Sequence, residues 1–180
     1  EQKGFQEQKN KVTAEFVKRF GCEPKGAQLL KMRLYDEQQG KCAYSLQALD
    51  LNRLLETAYV EVDHALPYSR SYDDSLLNKV LVLKVENQNK GNRTPYEYFG
   101  GTDDNTRWRH YEEFVRSNKA YRQAKRNRLL KKNLTLEDSE GFMDRNLNDT
   151  RYISRFFKNY VEQNLQLAVD EDGKPLHKRI

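Results

Sequence analysis

The sequence predicts an α+β fold in which two short strands and a short helix sit among several longer helices. Two runs read as strands, 59–63 with Val60 and Val62 alternating with acidic residues, and 79–83 with Val80, Leu81, Val82 and Leu83. Pro67 and the polar run from Ser69 to Asp74 separate them, and the second run leads straight into a helical stretch, 86–90, stopped by Gly91. Elsewhere apolar residues recur at helical spacing. They do so first at Phe5, Val12, Phe16 and Phe20, and last at Ile153, Phe156, Phe157, Tyr160, Val161 and Leu165.

Each element has its own signals. The opening helix ends at Gly21, Pro24 and Gly26, and a second spans 27–39 with Gly40 placed as its C-terminal cap. Residues 42–52 form a turn with a short helical or extended piece. Thr94-Pro95 starts a helical turn that the Gly100-Gly101 pair ends. Helices over 104–117 and 120–132 follow. Thr135 with Asp138 caps a further short helix, and Asn148 or Asp149 begins the last long one, which Asp170-Glu171-Asp172-Gly173 closes.

Composition narrows the function classes. The chain has 180 residues, 37% of them hydrophobic and 33% charged, enough for one thin core and broad solvated helix faces. No run approaches the ~18 apolar residues of a membrane span, and no targeting signal opens the chain. A soluble protein without a membrane partner is expected. The charged helical start without Met reads as an internal piece of a longer protein. Cys22 and Cys42 lack C-x-x-C spacing, so they are expected to be buried thiols of a reducing compartment, and structural zinc is a poor fit.

The net charge of +5 is uneven. Between Asn105 and Lys132 ten Lys or Arg face only Glu112 and Glu113, a balance of +8. Trp108, Tyr111, Phe114 and Tyr121 are interleaved with them. Such a block suits a polyanion, and it equally suits a salt-laced solvated face; both readings stand at this point.

The chemistry concentrates at Asp63-His64, followed by Asn78 and Asn87. Phosphodiester hydrolysis needs a base for water, neutralisation of charge at phosphorus and help for the leaving oxygen. His64 offers a neutral imidazole. Asp63 and Asn87 offer hard oxygen donors that suit Mg²⁺ or Mn²⁺, with Asn89 a competitor for Asn87. Asn78 can donate and accept at once, so it suits a clamp on the His-bearing loop. Neighbours on a regular strand face opposite ways, so the first strand is expected to end at or before Asp63.

These residues resemble the HNH endonucleases, and more narrowly one family. Val62-Asp63-His64-Ala65-Leu66-Pro67-Tyr68-Ser69-Arg70, Asp73-Asp74-Ser75 and Asn78-Lys79-Val80-Leu81-Val82 look like the HNH domain of type II CRISPR RNA-guided endonucleases. Gly40-Lys41-Cys42-Ala43-Tyr44-Ser45, Asn87 through Pro95, and Asn146 through Tyr152 fit the compact type II-C branch. The similarity runs from about Leu29 to Leu165. Two departures stand out: Asn87 replaces the third-letter His of many HNH enzymes, and Ser45 stands where a zinc-binding Cys would pair with Cys42.

The resemblance implies a ββα-metal core, a two-stranded antiparallel sheet plus short helix, surrounded by several helices. It implies an N-terminal linker helix over 1–26, the nuclease domain over 27–145 and a C-terminal linker helix and tail over 146–180. His64 would be the general base and Asn78 would hold its loop, with Asp63 and Asn87 ligating Mg²⁺, for which Mn²⁺ substitutes. Lys79, Lys90, Arg93, Arg122, Lys125, Arg126 and Arg128 would contact nucleic acid. The implied partners are target-strand DNA in a guide RNA–DNA heteroduplex, the rest of the effector with its RuvC-like domain, and phage anti-CRISPR inhibitors. The implied compartment is the prokaryotic cytoplasm. A binding or regulatory module silent in isolation and a stand-alone nicking enzyme are the alternative readings.

Overall fold

In the computed structural model, which describes residues 2–164, the sheet is an antiparallel pair. Strand β1 (Val60–His64) runs against β2 (Lys79–Leu83) in continuous register from Val60↔Leu83 to His64↔Lys79. A two-stranded sheet is marginal alone, because its edges leave backbone groups unpaired. Here the buried Gln38 side chain acts as a surrogate strand. Its Nε2 donates to Leu81 O and its Oε1 accepts from Leu81 N, both at 2.7 Å. Cys42 Sγ accepts from Leu83 N at 3.3 Å, and Ala43 N donates to Leu81 O at 3.1 Å.

Packing divides the chain after Thr135. In the first unit, α1 (Gln2–Phe20) and α2 (Gly26–Glu37) precede the sheet. Between the strands lies the single turn α3 (Tyr68–Ser71), and α4 (Lys84–Lys90) leaves β2 without a loop. Then come α5 (Pro95–Tyr98), α6 (Thr106–Ser117) and α7 (Gln123–Leu129). Phe16 of α1, Met32 and Leu34 of α2, Val80–Val82 of β2 and Trp108 and Tyr111 of α6 are buried in one core. Phe16 is fully buried, as α1 lies against α2 with Val12 and Phe16 in the core and Phe20 packed against it. The second unit contains α8 (Leu136–Asn164), whose Ile153, Phe156, Phe157 and Tyr160 are exposed.

Several expectations are corrected. Strand β1 continues through His64, because partners persist beyond it: Ala65 N donates to Asn78 O at 2.8 Å. Residues 136–164 form one helix where two were expected. No proline interrupts them, and mid-helix Gly141 or Asn148 costs only about 1 kcal/mol or less. The expected boundary at 145/146 thus falls inside α8. Cys22 is exposed, since it follows the Gly21 turn at the end of α1 (φ +68°). The expected stop at Asp170–Gly173 and Leu165 lie outside the described residues.

Candidate active site

Helix α4 starts where β2 ends, so it folds back beside β1 and lays one stripe against one face of that strand. The stripe is Lys84, Asn87 and Lys90, spaced by three, and the strand face is Glu61 and Asp63, spaced by two. Lys84 Nζ lies 3.6 Å from Glu61 Oε1, Asn87 Nδ2 donates to Glu61 Oε2 at 2.7 Å, and Lys90 Nζ contacts Asp63 Oδ2 at 2.9 Å. Tyr44 OH donates to the same Asp63 oxygen at 2.6 Å. Lys90 also donates to His64 O at 3.0 Å and is only 1% exposed, against 13% for Asp63. Burial lowers the Lys90 pKa against the opposing pull of Asp63. Burial, then the Asp63 charge, pushes the Tyr44 phenol well above its usual value, so it stays a donor.

His64 leaves β1 on the other side. Its Nε2 lies 2.7 Å from Asp74 Oδ1, which also receives Lys79 Nζ at 2.8 Å. A carboxylate only accepts, so in the neutral ring Nε2 carries the hydrogen and Nδ1 keeps the lone pair. The ring is 28% exposed and lies against Tyr68, centroids 5.7 Å apart. Lys79, first of all, and His64 hold the Asp74 carboxyl below its usual value.

The loop between the strands is tied at its base. Buried Asn78 accepts from Leu66 N and donates to Leu66 O and Asp73 O, all at 2.8 Å. Asp73 accepts from Arg128 Nε at 2.6 Å and from Ser75 N at 2.9 Å. Arg70 forms a bidentate pair with Glu97 at 2.6 and 2.9 Å. Glu97 belongs to a capping box with Thr94, with Pro95 at the first helical position, so the loop is fastened to the start of α5.

The donor set decides which metal would fit. Among the described residues no group of three or more His, Cys, Asp or Glu could enclose a cation. Asp63 and Asn87 fit a hard ion that keeps its waters and shares substrate phosphate, which is Mg²⁺ chemistry and not that of structural zinc. Asn89 is exposed and off the α4 stripe, which favours Asn87.

The basic residues are placed unevenly. Lys90 and Lys125, each 1% exposed, are corrected as phosphate contacts. Lys125 Nζ is spent on Glu37 Oε2 at 2.6 Å and Lys79 O at 2.8 Å. Arg128 is engaged by Asp73, Lys79 by Asp74, and Arg126 donates to Asn118 O at 2.8 Å. Arg93 caps α4 by donating to Lys90 O and Asn89 O and stacks over Tyr98 at 5.3 Å. Arg122 remains exposed. Sequence reasoning missed Tyr44, Glu61 and Asp74 as partners of the site. Only Glu61 carried a signal, its two-residue offset from Asp63 on a strand.

Comparison with known proteins identifies the family. Residues 42–96 match the HNH endonuclease family. The chain is 39% identical to the CRISPR-associated endonuclease Cas9 of Campylobacter jejuni over 87% of its length and 16% of that protein. It is also 39% identical to Cas9 of Staphylococcus aureus over 73% of its length and 13% of that protein. A crystal structure of Streptococcus thermophilus Cas9 superposes with a TM-score of 0.68 at 31% identity, covering 90% of this chain and 16% of that one. The chain thus spans about a sixth or less of the relatives it matches. It carries an HNH endonuclease domain and is homologous over most of its length to part of the CRISPR-associated endonuclease Cas9.

Proposed function

We propose that the chain is the HNH nuclease segment of a type II-C CRISPR RNA-guided endonuclease of the prokaryotic cytoplasm. It hydrolyses the DNA strand paired with guide RNA, and the remainder of the effector, with a RuvC-like domain, delivers that strand. The observation that supports this best is the facing of Asp63 on β1 by the α4 stripe that carries Asn87, with His64 and its Asp74 partner beside them. The scissile phosphate lies across the end of β1, where the Asp63 and His64 side chains diverge. His64 Nδ1 takes the proton of the attacking water, and the Asp74 carboxylate stabilises the imidazolium that forms. Asp63 and Asn87 would hold a divalent cation, which would neutralise charge at the phosphate. Asn78 keeps the loop between His64 and Asp74 in one conformation.

The test uses the intact effector with Mg²⁺. His64→Ala is expected to lower cutting of the guide-paired strand by roughly 10²–10⁴-fold. Guide-directed binding and cutting of the other strand stay near wild type, because base pairing and a separate site carry those. Loss of both cuts, or undiminished cutting of the guide-paired strand, overturns the assignment. Full activity in chelator overturns the metal's part in it.

A further inference from the structure

We propose that Glu61 is a positioning residue that turns the Asn87 amide so that its oxygen, not its nitrogen, is offered to a divalent cation. This rests on the metal reading above. Of the three residues on the inner stripe of α4, Lys84 and Lys90 are ammonium groups with no lone pair, so Asn87 is the one able to ligate. An amide, however, has two ends of nearly equal size, and a half-turn about its last torsion exchanges donor for acceptor. Glu61 removes that ambiguity. Its carboxylate only accepts, and at 2.7 Å from Nδ2 it fixes which end faces it, leaving Oδ1 on the other side.

Glu61 is itself well placed for this. It lies inside the β1–β2 ladder, opposite Val82, so its position follows the strand and not a loop. Lys84 Nζ stands 3.6 Å from its other oxygen and restrains the carboxylate. Asp63, two residues on, presents to the same face, so both oxygen donors are set by one strand and the helix beside it. Partners that orient a ligand in this way typically change metal affinity by 10–100-fold when removed.

The experiment measures Mn²⁺ binding to the 180-residue chain by the loss of the free-ion electron paramagnetic resonance signal. Four proteins are compared: wild type, Glu61→Ala, Asn87→Ala and the double variant. Glu61→Ala is expected to weaken Mn²⁺ binding roughly 10–100-fold, and to weaken it no further once Asn87 is gone, because a positioning residue acts only through what it positions. Glu61→Gln keeps an acceptor oxygen at the same reach and recovers part of the affinity, and it serves as the readout if the alanine variant folds poorly. Equal losses from Glu61→Ala with and without Asn87 make Glu61 an independent ligand and overturn the inference, as does wild-type affinity in Glu61→Ala. A wild-type chain that binds no Mn²⁺ overturns the metal reading itself, a distinct failure.

Discussion

The two faces of β1 are built differently. On the Asp63 face every neighbour is buried or half-buried: Tyr44, Lys90 and the inner stripe of α4. On the His64 face the supporting acid, Asp74, is 65% exposed. One strand therefore presents the proposed ligand, Asp63, held by the core and the proposed base, His64, held at the surface. The difference separates stability from chemistry. Removing a partner of Asp63 leaves buried polar groups unpaired, whereas removing a partner of His64 leaves groups that water can reach.

The largest expected effect lies on the buried face. Lys90→Met fills the same space but strips the counter-charge from Asp63 and the donor from His64 O. The fold is expected to lose about 3 kcal/mol, read as a shift in urea midpoint at unchanged slope. Wild-type stability in this variant would erase the distinction between the faces.

That contrast also marks what was legible. Strand β2 over 79–83, the Asn78 clamp and the Thr94-Pro95 start of α5 rest on local chemistry, within about a dozen residues, and the sequence displays it. The Lys125–Glu37 contact joins residues 88 apart, and Tyr44–Asp63 joins residues 19 apart. Counting charges between 105 and 132 shows a basic block without saying which ammonium turns inward. The merger of two expected helices into α8 was hidden for another reason. Thr135, Asp138, Asn148 and Asp149 are good caps, yet a cap residue is also tolerated inside a helix that lacks proline.

The Asp73–Arg128 pair at the base of the loop gives the next effect. Burial alone would raise the Asp73 carboxyl; Arg128 and Ser75 outweigh it and hold it below the usual value. A depressed folded pKa gives stability that is full above the unfolded value of ~3.9 and lost as pH falls through the lower folded value. Asp73→Asn is therefore expected to cost about 2 kcal/mol at pH 7, with the gap to wild type closing in strong acid. A gap that stays constant down to full protonation would show that shape, not charge, holds the loop.

On the exposed face, Asp74→Ala is expected to leave the urea midpoint within about 0.5 kcal/mol of wild type. Cutting of the guide-paired strand by the intact effector should still fall about tenfold. The loss belongs in kcat if, as proposed, Asp74 acts through the imidazole of His64. A destabilisation as large as that of Lys90→Met would make the two faces equivalent and break the comparison.

The smallest effect concerns the basic block, where the structure has already thinned the candidates. Lys125 and Arg128 are committed to internal acids, so reversing them would test folding, not contact with phosphate. Arg122 stands exposed just before α7 and can be reversed without unpairing the core. A backbone contact releases counterions, so each one lost flattens the plot of log binding constant against log salt by about 0.7–0.9. Arg122→Glu in the intact effector is expected to flatten that slope by about one unit if this end of α7 meets the strand, with the same change on every target sequence. An unchanged slope returns α7 to a solvated face whose lysine and arginine stems serve packing, as Lys125 already does.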